Sequence, residues 1–363
     1  MTGKIEALAH SVKADYSIIS DPVNIFYFTG VHLNPHERLL LLLVDNKTLD
    51  TAMIFPALDG ETVRANTDLT TYLPHDDKDD AFQYVFETIS ADKTIAVEGE
   101  HLIYSRYLRL IEKYAPENIQ TLDDEVNYLR GKKNEHDKAE IKRAVKMTEK
   151  ALEDLKTITV EGKTEMEVSD FLVKQFKSYG AVGPSFGPSV LAGKKSAMPH
   201  GDTGTDVIQR GDFLLIDFGV VSDTGYVSDM TRTFIVGEAT EKQEEIYKTV
   251  LRSNLAGIKA SQKGTVMGDI DRASRKVIDD DAGYGEYFMH RIGHGLGLDV
   301  HESPSIHGGN TDKLEAGHVI TIEPGIYIPE IGGVRIEDML YIDEDTTYNF
   351  NSFPKDFESM RIK

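Results

Sequence analysis

Asp217, Asp229, His294, Glu323 and Glu337 are four carboxylates and one imidazole, set in three glycine-rich or hairpin-like segments of the 363-residue chain. Such a set of five is what two adjacent divalent cations require, and it points to hydrolysis by a metal-activated water. One imidazole among carboxylate oxygens suits Mn, Co, Fe or Zn better than Ca, which favours oxygen alone. Four carboxylates also balance the charge of two divalent ions.

The first two acids must be positioned by the run DFGVVSDTGYVSDMTRT at 217–233, where apolar strand-like stretches flank a Ser-Asp-Thr-Gly turn signal. A hairpin closed by a three-residue loop at 222–224, with Gly225 free to take φ > 0, sets Asp217 opposite Asp229. Directly opposed residues share one face of a ladder, about 4.5 to 5.5 Å apart at Cβ. The last two acids lie in TIEPGIYIPEIGGVRIED at 321–338, where a loop centred on Glu330 sets Glu323 opposite Glu337. Like charges opposed in a sheet are destabilising unless a cation lies between them, so two such pairs argue for a metal over surface decoration. His294 sits in HRIGHGLGLDVHESP at 290–304, among glycines that let backbone and imidazole approach a ligand closely.

On these residues the chain resembles the metallopeptidases of the pita-bread fold, the family of methionine aminopeptidase, aminopeptidase P and prolidase. In that family the ordered set Asp, Asp, His, Glu, Glu binds two metals. Twelve positions separate Asp217 from Asp229, one more than the family's spacing, and an extra turn residue at Asp223 or Thr224 absorbs the difference. The resemblance implies further site residues. LAGKKSAMPHG at 191–201 matches the segment that places a histidine over substrate, here His200, and DVHESP at 299–304 supplies His301 near the scissile carbonyl or the leaving nitrogen. Glu323 takes a second role as proton carrier. His290, Arg291 and Arg335 are the implied substrate contacts, with Arg291 first and Arg335 second for a free carboxylate, and Arg335 shares a strand face with Glu337 because side chains alternate.

YFTGVHLNPHERLLLLLV at 27–44 and AGYGEYFMHRIGHGLGLDVHESPSI at 282–306 carry the likeness to the prolidase branch, and it spans nearly the whole chain. The implied fold class is α+β, a C-terminal pita-bread domain with a curved antiparallel sheet flanked by helices over 129–363. A smaller N-terminal α/β domain of creatinase/prolidase type covers 1–128. The implied activity is metal-dependent hydrolysis of the Xaa-Pro bond in dipeptides or short proline peptides, with two divalent ions per subunit, Mn first and Co or Zn next, in a homodimer. Release of the first residue from Xaa-Pro-Yaa peptides, as by aminopeptidase P, stays open as an alternative. A non-catalytic pita-bread binding protein and a carboxylate-rich metal store are more distant ones.

Composition agrees. Hydrophobic residues make up 40% of the chain, enough for two domains with separate cores. A net charge of −21 argues against a nucleic-acid partner, because phosphate binding relies on Lys and Arg. There is no cysteine and no secretory pattern at the N-terminus, which suits a reducing cytoplasm. The longest apolar run, 39–44, is far too short to cross a bilayer.

Along the first domain, strand-like runs at 17–19, 25–28, 39–44 and 94–97 alternate with helical segments such as 104–114. The chain turns charged at 130–137, a domain boundary, and a helix follows with Ile141, Val145, Thr148, Leu152 and Leu155 on one stripe. A faint internal echo links GKTEMEV from Gly162 with GTVMGDI from Gly264, each opening a helix, as in a domain of two related halves.

Overall fold

The apolar runs of the first hundred residues pair into one mixed sheet. The computed structural model, which describes residues 2–363, divides into two units, Met1–Arg130 and Gly131–Lys363. The first unit contains α1 (Thr2–Ser11), β1 (Tyr16–Ile19), α2 (Pro22–Thr29), β2 (Leu41–Asp45), β3 (Thr51–Pro56), α3 (Gly60–Asn66) and β4 (Thr71–His75). It continues with α4 (Phe82–Thr88), β5 (Ile95–Val97), α5 (Tyr104–Leu110), β6 (Ile119–Thr121) and α6 (Asp123–Gly131). Its sheet runs β4-β3-β2-β1-β5-β6, with β2 antiparallel to both neighbours and the outer pairings parallel. Leu42 and Val44 pack into one apolar cluster and Leu41 and Leu43 into another, so an unbroken leucine run reflects a strand buried on both faces.

Two expectations fail in this unit. Residues 25–28, read as a strand from their β-favouring side chains, lie inside α2. Asp21 accepts a hydrogen bond from Val23 N, Pro22 occupies the first turn, and Gly30 closes the helix at φ 80°. These capping signals outweigh local β-propensity. The helix expected over 104–114 stops at Leu110.

The second unit opens with α7 (Glu135–Leu155), capped by a reciprocal Asn134–Asp137 box, and the five-residue stripe from Ile141 to Leu155 is buried. It continues with α8 (Glu165–Ser178), β7 (Gly183–Pro184), β8 (Ser189–Ala192), β9 (Phe213–Phe218), β10 (Val220–Val221), β11 (Met230–Val236), α9 (Glu241–Ala260) and α10 (Met267–Ile278). Then follow β12 (Gly293–Gly295), β13 (Glu302–Ile306), β14 (Val319–Ile322), β15 (Gly325–Ile328), β16 (Gly332–Arg335), β17 (Asp338–Ile342), β18 (Thr347–Asn349) and β19 (Arg361–Ile362). Two sheets, β19-β11-β9-β8 and β13-β12-β14-β17-β18, are antiparallel apart from the β11–β19 pair. The α+β class implied by the sequence is the class observed.

The internal echo is structural. Gly162 N donates to Ile208 O and Ile208 N to Lys163 O; in the second half Gly264 N donates to Leu314 O and Leu314 N to Thr265 O. Both glycines hold left-handed φ, 85° and 87°, which places the chain to start α8 in one half and α10 in the other. Each half then leads into a strand, β9 or β14, that delivers an acidic residue at or just past its end.

Candidate active site

Asp217 lies on β9 and Asp229 immediately before β11. Their hairpin differs from the one expected: Ser222 N bonds Tyr226 O, the loop is 223–225, and Asp217 pairs with Thr231. Gly225 takes the left-handed conformation, φ 83°, as the last loop residue. The slip is of two residues, one full side-chain period, so Asp229 stays on the face of Asp217 as a diagonal neighbour. The second hairpin follows the expected register, with Gly325 opposite Arg335 and Ile322 opposite Asp338, which leaves Glu323 and Glu337 at the corner between two ladders. The hairpins are tied together: Glu337 N donates to Thr231 O, and Glu323 N donates to Ile292 O beside β12. Their acids therefore converge on His294.

His294 Nε2 lies 3.4 Å from Glu323 Oε1 and 3.6 Å from Asp229 Oδ2. Its Nδ1 faces the Gly295 carbonyl at 3.0 Å, which fixes the ring proton there and leaves the Nε2 lone pair pointing at carboxylates. Burial holds this imidazole down to about 3, so the ring is neutral and offers no positive charge to offset the acids at neutral pH. Asp229, His294 and Glu337 each offer a ligand atom within 4.8 Å of the others. Among the described residues, Asp217 Oδ1 and Glu337 Oε1 are buried with no hydrogen-bond partner. Burial, then Asp217 and Glu323, pushes Asp229 well above the ordinary carboxyl range; Glu337 is raised in the same way, by burial and then by Asp229. Burial also pushes Glu323 up to about 8, against the pull of Arg335. Orphaned oxygens, a lone pair aimed at them and acids forced towards protonation are what a site for a hard or borderline cation looks like without its ion. The donor set fits a divalent metal.

Around the acids runs a chain of hydrogen bonds. Arg335, 4% exposed, donates from Nη2 to Asp217 Oδ2 at 2.6 Å, from Nη1 to the Tyr327 hydroxyl at 2.9 Å and from Nε to Thr231 Oγ1 at 3.0 Å. The Thr231 hydroxyl donates onward to Glu337 Oε2 at 2.8 Å. Tyr327 donates to His290 Nε2 at 2.9 Å, and His290 Nδ1 donates to the Arg291 carbonyl at 2.8 Å. Both ring nitrogens of His290 are thus engaged within the protein, although the residue still lines the cavity as expected. Arg335 is likewise bonded to Asp217, whereas among the described residues the Arg291 side chain bonds Ser305 Oγ at 3.1 Å. Thr231 and Tyr327 were missed in the sequence. Thr231 was within reach, since alternation places it on the face of Asp229.

All ten expected site residues line one cavity of about 850 Å³, together with Phe186, Val221, Val227, Leu298 and Val300 on its apolar side. That volume is within the usual range of small-molecule sites. His301 packs edge-on against His294 with ring centroids 4.3 Å apart, and burial followed by Arg291 lowers its affinity for a proton. His200 is exposed on the cavity wall.

Comparison with known proteins agrees with this geometry. The model of Metallopeptidase family M24 matches residues 139–344, and that of the Creatinase/Prolidase N-terminal domain matches residues 2–131. A Staphylococcus epidermidis protein named an uncharacterized peptidase is 38% identical over 342 residues, covering 94% of this chain and 96% of its own length. The structure of Xaa-Pro dipeptidase from Bacillus anthracis is similar with a TM-score of 0.91 and 30% identity, covering 99% of both chains. That of X-Pro aminopeptidase from Thermotoga maritima is similar with a TM-score of 0.86 and 28% identity, over 98% of this chain and 99% of its own.

Proposed function

The chain belongs to metallopeptidase family M24, with the creatinase/prolidase type of N-terminal domain, and on that footing we propose that it cleaves the Xaa-Pro bond of dipeptides. It is a peptidase, and the family carries divalent metal. The observation behind the finer reading is the buried knot of Asp229, His294 and Glu337, with Asp217 and Glu323 beside it and two carboxylate oxygens lacking any partner. We assign two cations to these five residues, manganese first.

An Xaa-Pro amide has no N–H and a fixed φ, so the extended pairing used by general peptidases loses a donor and a dedicated cavity is needed. Divalent cations held by Asp217, Asp229, His294, Glu323 and Glu337 would supply a water nucleophile at neutral pH and polarise the scissile carbonyl. Glu323 takes the proton from the attacking water and delivers it to the proline nitrogen, which must be protonated to leave. His301 and His200 donate to the developing oxyanion or the amide region, worth about 2.7 to 4 kcal/mol per donor. Arg291 pairs with the free proline carboxylate, the group that separates a dipeptide from a longer chain. Arg335 and Thr231 hold Asp217 and Glu337 in orientation, as outer partners of metal ligands do. A cytosolic homodimer completes the reading, supported by the cysteine-free composition and the family resemblance.

The test is metal analysis before and after chelation, with Leu-Pro and Leu-Pro-Gly offered under Mn, Co and Zn. Faster turnover of Leu-Pro, lost on chelation and restored by Mn, supports the proposal. Faster release of Leu from Leu-Pro-Gly shifts the activity to the aminopeptidase reading, which the likeness to the Thermotoga maritima structure favours. Metal-loaded protein inert on both sinks the peptide specificity.

A further inference from the structure

We propose that Glu165 is a positioning residue for His200, cinching the neck of the loop that carries it. The inference rests on the reading of His200 as a group that meets substrate. His200 sits near the far end of the segment 193–203, between β8 and Gly204, and among the described residues its ring has no hydrogen-bond partner. Its location is therefore set by the loop. Glu165 is fully buried, and its carboxylate spans the loop's two ends: Oε1 accepts from Ala192 N at 2.8 Å and Oε2 from Gly204 N at 2.9 Å. Lys195 Nζ, from inside the loop, bonds the same Oε2 at 2.6 Å and Asp206 at 2.8 Å.

Capping does not explain this carboxylate. The start of α8 is already closed by the reciprocal pair of Thr164 and Glu167, and Glu165 points away from it to the loop. The same device stands beside the other histidine. Glu302, next to His301, accepts from Leu298 N at 2.8 Å and Asp299 N at 3.0 Å and pairs with Lys133 at 2.8 Å. In both places a buried carboxylate gathers two backbone N–H groups and one lysine, and so ties down a segment that carries an imidazole to the cavity.

The experiment compares wild-type holoenzyme with E165Q, K195M, H200A and the double variants. Gln offers an N–H₂ where the neck needs an acceptor, so E165Q should lower kcat/KM for Leu-Pro by about tenfold or more, as small misplacements of a reacting group do. Metal content should be unchanged. K195M keeps the carboxylate and should lose about two- to fivefold on the same argument. In the H200A background both losses should vanish, because each acts through that ring. Multiplicative losses in the double variants would overturn the proposal, and if E165Q does not fold, K195M carries the same comparison. Tryptic cleavage after Lys194, read without substrate, should be faster in E165Q than in wild type. Unchanged cleavage overturns the staple even if the peptidase assignment holds, whereas faster cleavage in a protein inert on Leu-Pro faults only that assignment.

Discussion

At the scale of single residues, charge is the controlling quantity. Burial holds Glu323 up to about 8, and Asp229 and Glu337 are also raised well above the ordinary range, by burial first and next by Asp217 and by Asp229 respectively. A carboxyl raised in the fold contributes stability that is complete below its unfolded value of 4.5 and is lost as pH climbs through the folded value. His294 and His290, held down to about 3 and about 4, act in the opposite sense, but only below their ordinary 6.5. Metal-free protein should therefore lose stability between about pH 6.5 and about pH 8, and manganese should raise the melting midpoint more at the upper end. Calorimetry across that window checks it; a flat midpoint in the metal-free form would remove the buried-acid account. Arg291→Ala should raise KM for Leu-Pro by about tenfold or more while kcat changes little, since it removes a contact to a non-reacting carboxylate. A fall confined to kcat would take Arg291 out of substrate binding. Thr231→Val deletes the hydroxyl between Arg335 and Glu337 and should weaken manganese binding roughly 10- to 100-fold, measured by titration calorimetry.

At the scale of elements, the site is made by two hairpins and a three-residue strand lying close against them. Gly293 opens β12, and a Cβ there would stand 1.9 Å from Thr321 O; at Gly295 it would meet Ser303 O at 2.2 Å. No rotamer relieves a clash with backbone. Gly293→Ala should thus cost roughly 3 kcal/mol in denaturant unfolding and depress metal affinity, because His294 must move with its strand. Wild-type stability and metal binding in that variant would show that the strands can part without harm. The paired halves give the elements their placement: the left-handed glycines at 162 and 264 lead through equivalent backbone bonds to β9 and β14, which bring Asp217 and Glu323 to the same cavity.

At the scale of the molecule, each unit has apolar clusters of its own, two in Met1–Arg130 and two in Gly131–Lys363, and the ten candidate residues all fall in the second. A fragment 131–363 should then fold cooperatively and take up manganese without the first unit. Absence of a cooperative calorimetric transition in that fragment would refute its independence. Among the described residues no helix is long and apolar enough to cross a membrane.

The chain itself carried the chemistry available: the four carboxylates and the imidazole, their order, the turn at Glu330 and the buried stripe of α7 are all local in sequence, because side-chain period and turn chemistry act over a few residues. Three matters were decided only in three dimensions. The first hairpin closed at 223–225 instead of 222–224, since both loops are short enough to form and only the pairing of the whole ladder selects between them. Residues 25–28 became helix because Asp21, Pro22 and Gly30 cap the segment from outside it. His290 and Arg335 were drawn into the Tyr327 and Asp217 network, since a buried donor or acceptor must find a partner and the nearest ones come from strands far away in sequence.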